Sequence, residues 1–199
     1  MQAKNLLGAK RTAKQRYPRT PHVVPAAAIS LGVGVIAALA SMRNAKRPLP
    51  VVQSLDIGRY LGRWYEIAAY PNRFERGCVA TTATYSRLDS GQLKVVNQCR
   101  EGGFAGKVRT VEGTAWMEDP ANPAKLKVRF FWPFSGDYWV VALDEDYRWS
   151  IVGEPSRQYL WILARTPTLD SAVYAGLLEL VSSMGYDPAR LRQSPQVPA

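Results

Sequence analysis

From Leu55 onward the chain is divided by closely spaced turn signals: Asp89-Ser90-Gly91, Gly102-Gly103, Asp119-Pro120, Trp132-Pro133, Asp144-Glu145-Asp146 and Glu154-Pro155. Only short runs rich in β-branched and aromatic residues fit between them, which is strand patterning. The pattern predicts strands over 63–70, 79–86, 93–100, 108–117, 124–131, 138–143, 149–153 and 159–165. Eight consecutive antiparallel strands joined by short turns form an up-and-down meander. Closing the meander into a barrel removes both sheet edges and leaves an interior that side chains or one small ligand can fill. One amphipathic helix follows. Thr168 is its expected cap, Asp170 sits in its first turn, and Val173, Leu177, Leu180, Val181 and Met184 recur on one face before Gly185 stops it. The expected class is therefore all-β: an eight-stranded antiparallel barrel with a C-terminal α-helix packed outside, spanning 55–192 and followed by a disordered tail over 193–199.

The net charge of +10 suggests nucleic acid, but its distribution argues against it. Nine of the 26 basic residues and none of the 16 acidic ones lie within 1–47, so the remainder is close to neutral. Phosphate binding needs uncompensated Lys and Arg clustered on the folded surface. Within the basic leader, Val23–Met42 carries no charge and follows a basic stretch, the order found in signal peptides and membrane anchors. Ala38-Leu39-Ala40 offers a cleavage site, and twenty apolar residues can also span a bilayer. Export with cleavage and retention as an anchor both fit, and both place the barrel in the cell envelope on the periplasmic side. A cytosolic protein begun at Met42 is a third reading. Residues 48–54 read as a linker.

Catalytic chemistry finds few candidates. His22, in the leader, is the chain's one histidine, so the barrel offers no Ser-His-Asp or Cys-His arrangement and no histidine-based metal or haem site. No phosphate-binding or dinucleotide fingerprint is present, and neither a cofactor nor a metal is expected. Cys78 and Cys99 flank the Asp89-Ser90-Gly91 turn at similar distances. A cross-strand disulfide suited to an oxidising compartment and two buried thiols both fit this spacing.

Three separated segments carry a family resemblance. The first is GRWYEIAAYPNRFERG, from Gly62 to Gly77, in which Trp64 opens a strand right after a glycine. The second is the acidic turn leading into Tyr147, and the third is the end of the last strand at Arg165. In this order they resemble the lipocalin family, in particular its bacterial outer-membrane lipoprotein and apolipoprotein-D-like branch, over about Leu55 to Arg192. Alternate loops of a meander lie at the same end, so Gly62, Trp64, Asp146, Tyr147 and Arg165 converge there. The resemblance implies that Arg165 lies across Trp64 and closes the floor. Members of the outer-membrane branch carry a lipid-modified cysteine right after the signal, and no cysteine stands directly behind Val23–Met42 here, so outer-membrane lipidation is not expected.

The opposite end is then the mouth, formed by the loops over 70–76, 101–107, 132–137 and 154–158. The segment FFWPFSGDYW brings Phe130, Phe131, Trp132, Phe134, Tyr138 and Trp139 to it. Such a rim suits acyl-chain entry, contact with a membrane, or pairing with a second subunit as a homodimer. Counting alternate positions from Trp64 places Glu66, Ala68 and Tyr70 inside, with Phe74 at the mouth. Tyr85, Trp116, Phe130, Tyr138 and Trp139 are further inward candidates. Glu66 would meet a polar headgroup, or a neighbouring Tyr or Arg. The resemblance implies a binding protein rather than an enzyme, one that stores or carries fatty acids or lysophospholipids for membrane maintenance. A thiol-dependent enzyme or redox sensor using Cys78 or Cys99 is the alternative.

Overall fold

The computed structural model describes residues 48–197. The apolar segment Val23–Met42 lies outside them. Among the described residues no helix is long and apolar enough to cross a membrane.

The chain enters through a short helix, α1 (Ile57–Tyr60), capped by Asp56, whose carboxylate accepts from Arg59 N. Eight strands follow: β1 (Gly62–Ala69), β2 (Cys78–Arg87), β3 (Leu93–Glu101), β4 (Val108–Met117), β5 (Lys125–Phe131), β6 (Phe134–Leu143), β7 (Trp149–Gly153) and β8 (Leu160–Ala164). Each pairs antiparallel with the next, and β1 pairs with both β8 and β2, so the barrel is closed. All eight expected strands are present. The largest boundary difference is β6, which begins at Phe134 rather than Tyr138 because the β5–β6 ladder continues to the Phe131–Phe134 pair.

Two apolar clusters hold the barrel. One fills its lower interior with Trp64, Tyr85, Leu93, Val95, Ala115, Leu126, Val140, Val152 and Leu163. The other lies outside, where α2 (Ser171–Ser183) packs Leu177 and Val181 onto Ile151, Leu160 and Ile162. Full burial of each such aliphatic side chain contributes about 1.5–3 kcal/mol. The cap of α2 is Asp170, not Thr168: Asp170 Oδ1 accepts from Ala172 N at 2.8 Å and Val173 N at 3.2 Å. A carboxylate at this position satisfies two free backbone donors and complements the helix dipole. Leu177, Val181 and Met184 face the barrel as expected, whereas Val173 is exposed. Residues 48–54 are no free spacer, because Leu49 is buried in the outer cluster and Val52 N donates to Val140 O at 3.0 Å.

A bulge decides which side chains reach the interior. Glu66 pairs with Leu163 and Ala68 with Ile162, so β1 holds one extra residue, Ile67. One extra residue reverses the faces beyond it. Ala68, expected inside, therefore packs in the outer cluster with α2, and so does the ring of Tyr70. Counting also fails for Trp116 and Trp139. Ala115 and Val140 face the interior, which puts both tryptophans outside, Trp116 beneath Arg129 and Trp139 beneath Lys125.

Residues 192–197 are not a loose tail. β1 follows β2 only from Gly62–Tyr85 to Tyr65–Thr82. Above that point a strap fills the seam. Its two-residue strand β9 (Arg192–Gln193) pairs with Ala68 and Ala69. Ser194 N then donates to Ile67 O at 2.9 Å, and Ala80 N donates to Pro195 O at 2.7 Å. Gln196 Nε2 bridges the strands directly, donating to Glu66 O at 2.7 Å and Thr81 O at 2.9 Å. Two neutral hydrogen bonds contribute about 1–3 kcal/mol together. Gln196→Ala is expected to lower the Tm by about 2–12 °C, read by thermal unfolding, while the circular dichroism of the native state stays that of a barrel.

Candidate functional site

The closed end is built around an indole. Trp64 is fully buried and its Nε1 donates to Tyr60 O at 2.9 Å. The guanidinium carbon of Arg165 lies 3.8 Å from the Trp64 ring centroid. Its Nη2 donates to Arg59 O at 2.6 Å, its Nη1 to Arg63 O at 2.9 Å and its Nε to Tyr147 O at 3.4 Å. One side chain thus ties together α1, β1 and the β6–β7 turn. Gly62 is needed beside it: its φ is +91°, and a Cβ there would lie 3.4 Å from Arg165 Nη1. Tyr147 OH accepts from Asp56 N at 2.9 Å, and Arg59 stacks on its ring at 4.2 Å.

Gly62, Trp64, Tyr147 and Arg165 therefore meet as the sequence predicted. Asp146 does not take the expected part. Its side chain is 74% exposed, and the buried acid that organises the turn is Asp144. Asp144 accepts from Asp146 N and Arg148 N at 3.1 Å each, and it forms a two-point pair with Arg148 at 2.8 and 2.9 Å. These bonds, the Arg148 side chain first, hold its carboxyl below the usual range.

Above the indole the interior is plugged. Tyr138 OH hydrogen-bonds Tyr85 OH at 2.8 Å and Tyr60 OH at 2.9 Å, and Tyr60 OH reaches Ser150 Oγ at 3.2 Å. Burial pushes all three phenols up, so they are neutral at physiological pH. Tyr85 and Tyr138 point inward as expected, but they fill the lower barrel rather than line open space.

Open space begins above the plug. A cavity of about 780 Å³ opens at the mouth and is walled by Phe74, Asn97, Val111, Val128, Phe130 and Trp161, among others. That volume falls within the range of pockets for ligands of moderate size. Gly113 gives Phe130 its place: a Cβ at 113 would come within 2.6 Å of the ring. Phe131 and Phe134 stand at the lip, Phe134 78% exposed. Trp132, joined to Pro133 by a cis peptide, is 83% exposed and lies beyond the cavity wall. The disulfide Cys78–Cys99 spans the same wall, with 5.4 Å between Cα atoms. It joins the chain's only two cysteines, and the free-thiol reading falls.

Glu66 and Tyr70 line a second, smaller cavity of about 410 Å³, beside the strap. It adjoins the first along Asn72, Arg73, Glu75, Cys78 and Thr81. Glu66 bonds neither Tyr nor Arg. Its partners are the Ser194 hydroxyl, which donates to Oε1, and the Glu75 carboxyl. Glu75 lies close by and accepts from Asn72 Nδ2 at 2.5 Å and Trp161 Nε1 at 3.1 Å. Burial, and then the neighbouring Glu75 charge, push the Glu66 carboxyl up to about 8. Of the expected ligand residues, Phe74, Phe130 and Phe134 line the larger cavity and Glu66 and Tyr70 the smaller. The expectation missed Asn97, Val111, Val128 and Trp161. The alternation Leu93, Val95, Asn97, Cys99 along β3 held a signal for the first of these.

A closed meander barrel with an arginine-covered tryptophan floor, an open opposite end and an external helix defines a calyx-shaped binding fold. The chain belongs to the lipocalin family: residues 55–196 match the Lipocalin-like domain. It is 44% identical over 147 residues to the outer membrane lipoprotein Blc of Escherichia coli K12, covering 72% of this chain and 81% of that one. It is 41% identical over 160 residues to temperature-induced lipocalin-1 of Arabidopsis thaliana, covering 76% and 84%. Among solved structures, insecticyanin from the tobacco hornworm Manduca sexta superposes with a TM-score of 0.61 at 21% identity, covering 76% and 86%.

Two outcomes follow for these groups. Arg165→Ala removes the stack and three hydrogen bonds, an expected loss of about 2–5 kcal/mol. The Tm should fall by several degrees while the ranking of bound ligands stays unchanged. Glu66 keeps its proton in the folded state up to about pH 8, whereas the unfolded chain releases it near its ordinary value. Folded protein then holds more protons than unfolded protein across that window, so this group's contribution to stability declines as pH rises from about 5 to about 8. Glu66→Gln keeps an acceptor for Ser194 and cannot ionise. Melting curves at both ends of the window should show a smaller decline for the variant than for the wild type.

Proposed function

We propose that this lipocalin is a binding protein, not an enzyme, and that it holds the acyl chain of a fatty acid or lysophospholipid in the larger cavity. The observation that carries the reading is an open, largely apolar calyx above a fully plugged floor. An acyl chain entering it exchanges water for Phe74, Val111, Val128, Phe130 and Trp161. Each methylene so buried contributes about 0.8 kcal/mol, so affinity needs few specific contacts. The headgroup stays at the mouth, where Arg73 and Arg109 stand on the wall. The exposed Phe131, Trp132 and Phe134 suit collection of ligand at a lipid surface, and the same rim leaves room for a homodimer.

The leader supports placement in the cell envelope, by cleavage or by anchoring through Val23–Met42, and the name of the Escherichia coli relative accords with that location. A disulfide on the wall of the calyx suits an oxidising compartment. Storage or carriage of lipid for membrane maintenance is the role this set of features supports.

The test is displacement of a fluorescent acyl probe by lysophospholipid and by fatty acid, with mass spectrometry of lipids that co-purify with the protein. Val111→Trp fills the cavity from its wall and is expected to weaken probe binding at least about tenfold, because it removes space for several methylenes. Failure of every lipid to displace the probe would reject the reading, and so would full binding by a folded Val111→Trp variant.

A further inference from the structure

The wall of the open calyx holds a buried amide oxygen that no protein group satisfies. Asn97 lies on β3 between Val95, buried in the lower interior, and Cys99 of the disulfide. Its register partners are Ala83 on β2 and Val111 on β4, so no polar side chain stands directly opposite it on either flanking strand. Its Oδ1 is buried and has no hydrogen-bond partner, unlike any other buried side-chain oxygen or nitrogen among the described residues. The residue nevertheless lines the larger cavity.

Position gives this amide its meaning. The cavity wall includes Asn97 but none of Tyr60, Tyr85 or Tyr138, whose hydroxyls are engaged with one another and with Ser150. Asn97 stands one same-face position along β3 from Val95 of the lower cluster, so it borders the plugged part of the barrel. Buried polar groups are nearly always partnered, and an unmet one signals a missing ligand or water. A methyl terminus arriving there leaves the amide unmet. A carboxylate would have to be buried as a charge, and Arg109 on the same wall is already engaged by Phe74 O, Cys78 Sγ and Glu101. A hydroxyl meets the site in either orientation of the amide, donating to Oδ1 or accepting from Nδ2.

We propose that Asn97 is the deep polar anchor of the calyx and selects acyl ligands that carry a hydroxyl on their buried end. The inference rests on the acyl-binding reading above and narrows it to amphiphiles that are polar at both ends, with a carboxylate or headgroup at the mouth and an alcohol at the bottom. Leucine or valine at 97 would suit a plain hydrocarbon chain better, and asparagine restricts the choice.

The experiment displaces the acyl probe with a homologous series of saturated fatty acids and with their ω-hydroxy counterparts, using the wild type and Asn97→Val. An unanchored hydroxyl taken into an apolar cavity would weaken binding roughly tenfold or more relative to the parent acid. In the wild type, at the chain length that reaches the bottom, the hydroxy acid should bind at least as tightly as its parent. In Asn97→Val the parent acid should bind as well or better, and the hydroxy acid about fivefold to tenfold more weakly. A hydroxy acid weaker than its parent at every length in the wild type overturns the proposal, and so does the same ratio in both proteins. If Asn97→Val binds no parent acid, the wild-type comparison decides alone. If parent acids fail to displace the probe from the wild type, the acyl reading itself falls and the anchor falls with it.

Discussion

The calyx depends on one contact, the guanidinium of Arg165 over the indole of Trp64. A barrel open at both ends would be a water-filled tube, and its tyrosine hydroxyls would bond to solvent rather than to each other. Arg165 prevents this by joining the end of β8 to the α1–β1 segment and to the β6–β7 turn. It covers the indole at 3.8 Å and takes up carbonyls of Arg59, Arg63 and Tyr147. Lysine could supply the charge but not the planar fork that reaches three acceptors while stacked. With the floor closed, Tyr60, Tyr85 and Tyr138 form a dry hydroxyl network, and the usable cavity is confined to the upper barrel. A structural contact at one end thereby sets how deep a ligand can go at the other.

The floor was legible in the sequence because its parts are chemically distinctive and topology brings them together. A glycine before Trp64, a Tyr in the β6–β7 turn and an arginine ending the last strand can meet only if alternate loops share an end. The strands were legible for a similar reason, since Gly, Pro and Asp mark the turns. The inner wall was much less legible. A strand's faces follow a period of two, and a single bulge at Ile67 was enough to send Ala68 and Tyr70 outward. Trp116 and Trp139 failed differently. Large aromatics suggest interior positions, yet small Ala115 and Val140 hold them, and the tryptophans are covered from outside by Arg129 and Lys125. Size alone does not tell the faces of a barrel wall apart when long basic side chains can cover rings from outside.

The strap gave no hydrophobic signal, because it works through backbone and amide groups. Arg192 to Gln196 carries no apolar run that patterning could detect. Its contribution is geometric: β1 and β2 part above Tyr65 and Thr82, and open strand edges left there would be costly. The strap meets those edges with its own backbone and with the Gln196 amide.

The same divergence explains the smaller cavity and its unusual carboxyl. Had β2 continued along β1, Thr81 would lie against Glu66 in a regular ladder and no space would remain between the strands. Because they separate, a gap of about 410 Å³ persists beneath the strap, and Glu66 faces it with Ser194 as one partner. Its carboxyl is too buried to ionise readily and too close to Glu75 to share the site with a second charge. Proton uptake by Glu66 is thus coupled to the seam the strap closes, because Ser194 and Gln196 on the strap hold the carboxyl and the carbonyl of this one residue. The mouth of the calyx is shaped on this side by a polar seam and on the opposite side by the aromatic lip at Phe131 and Phe134.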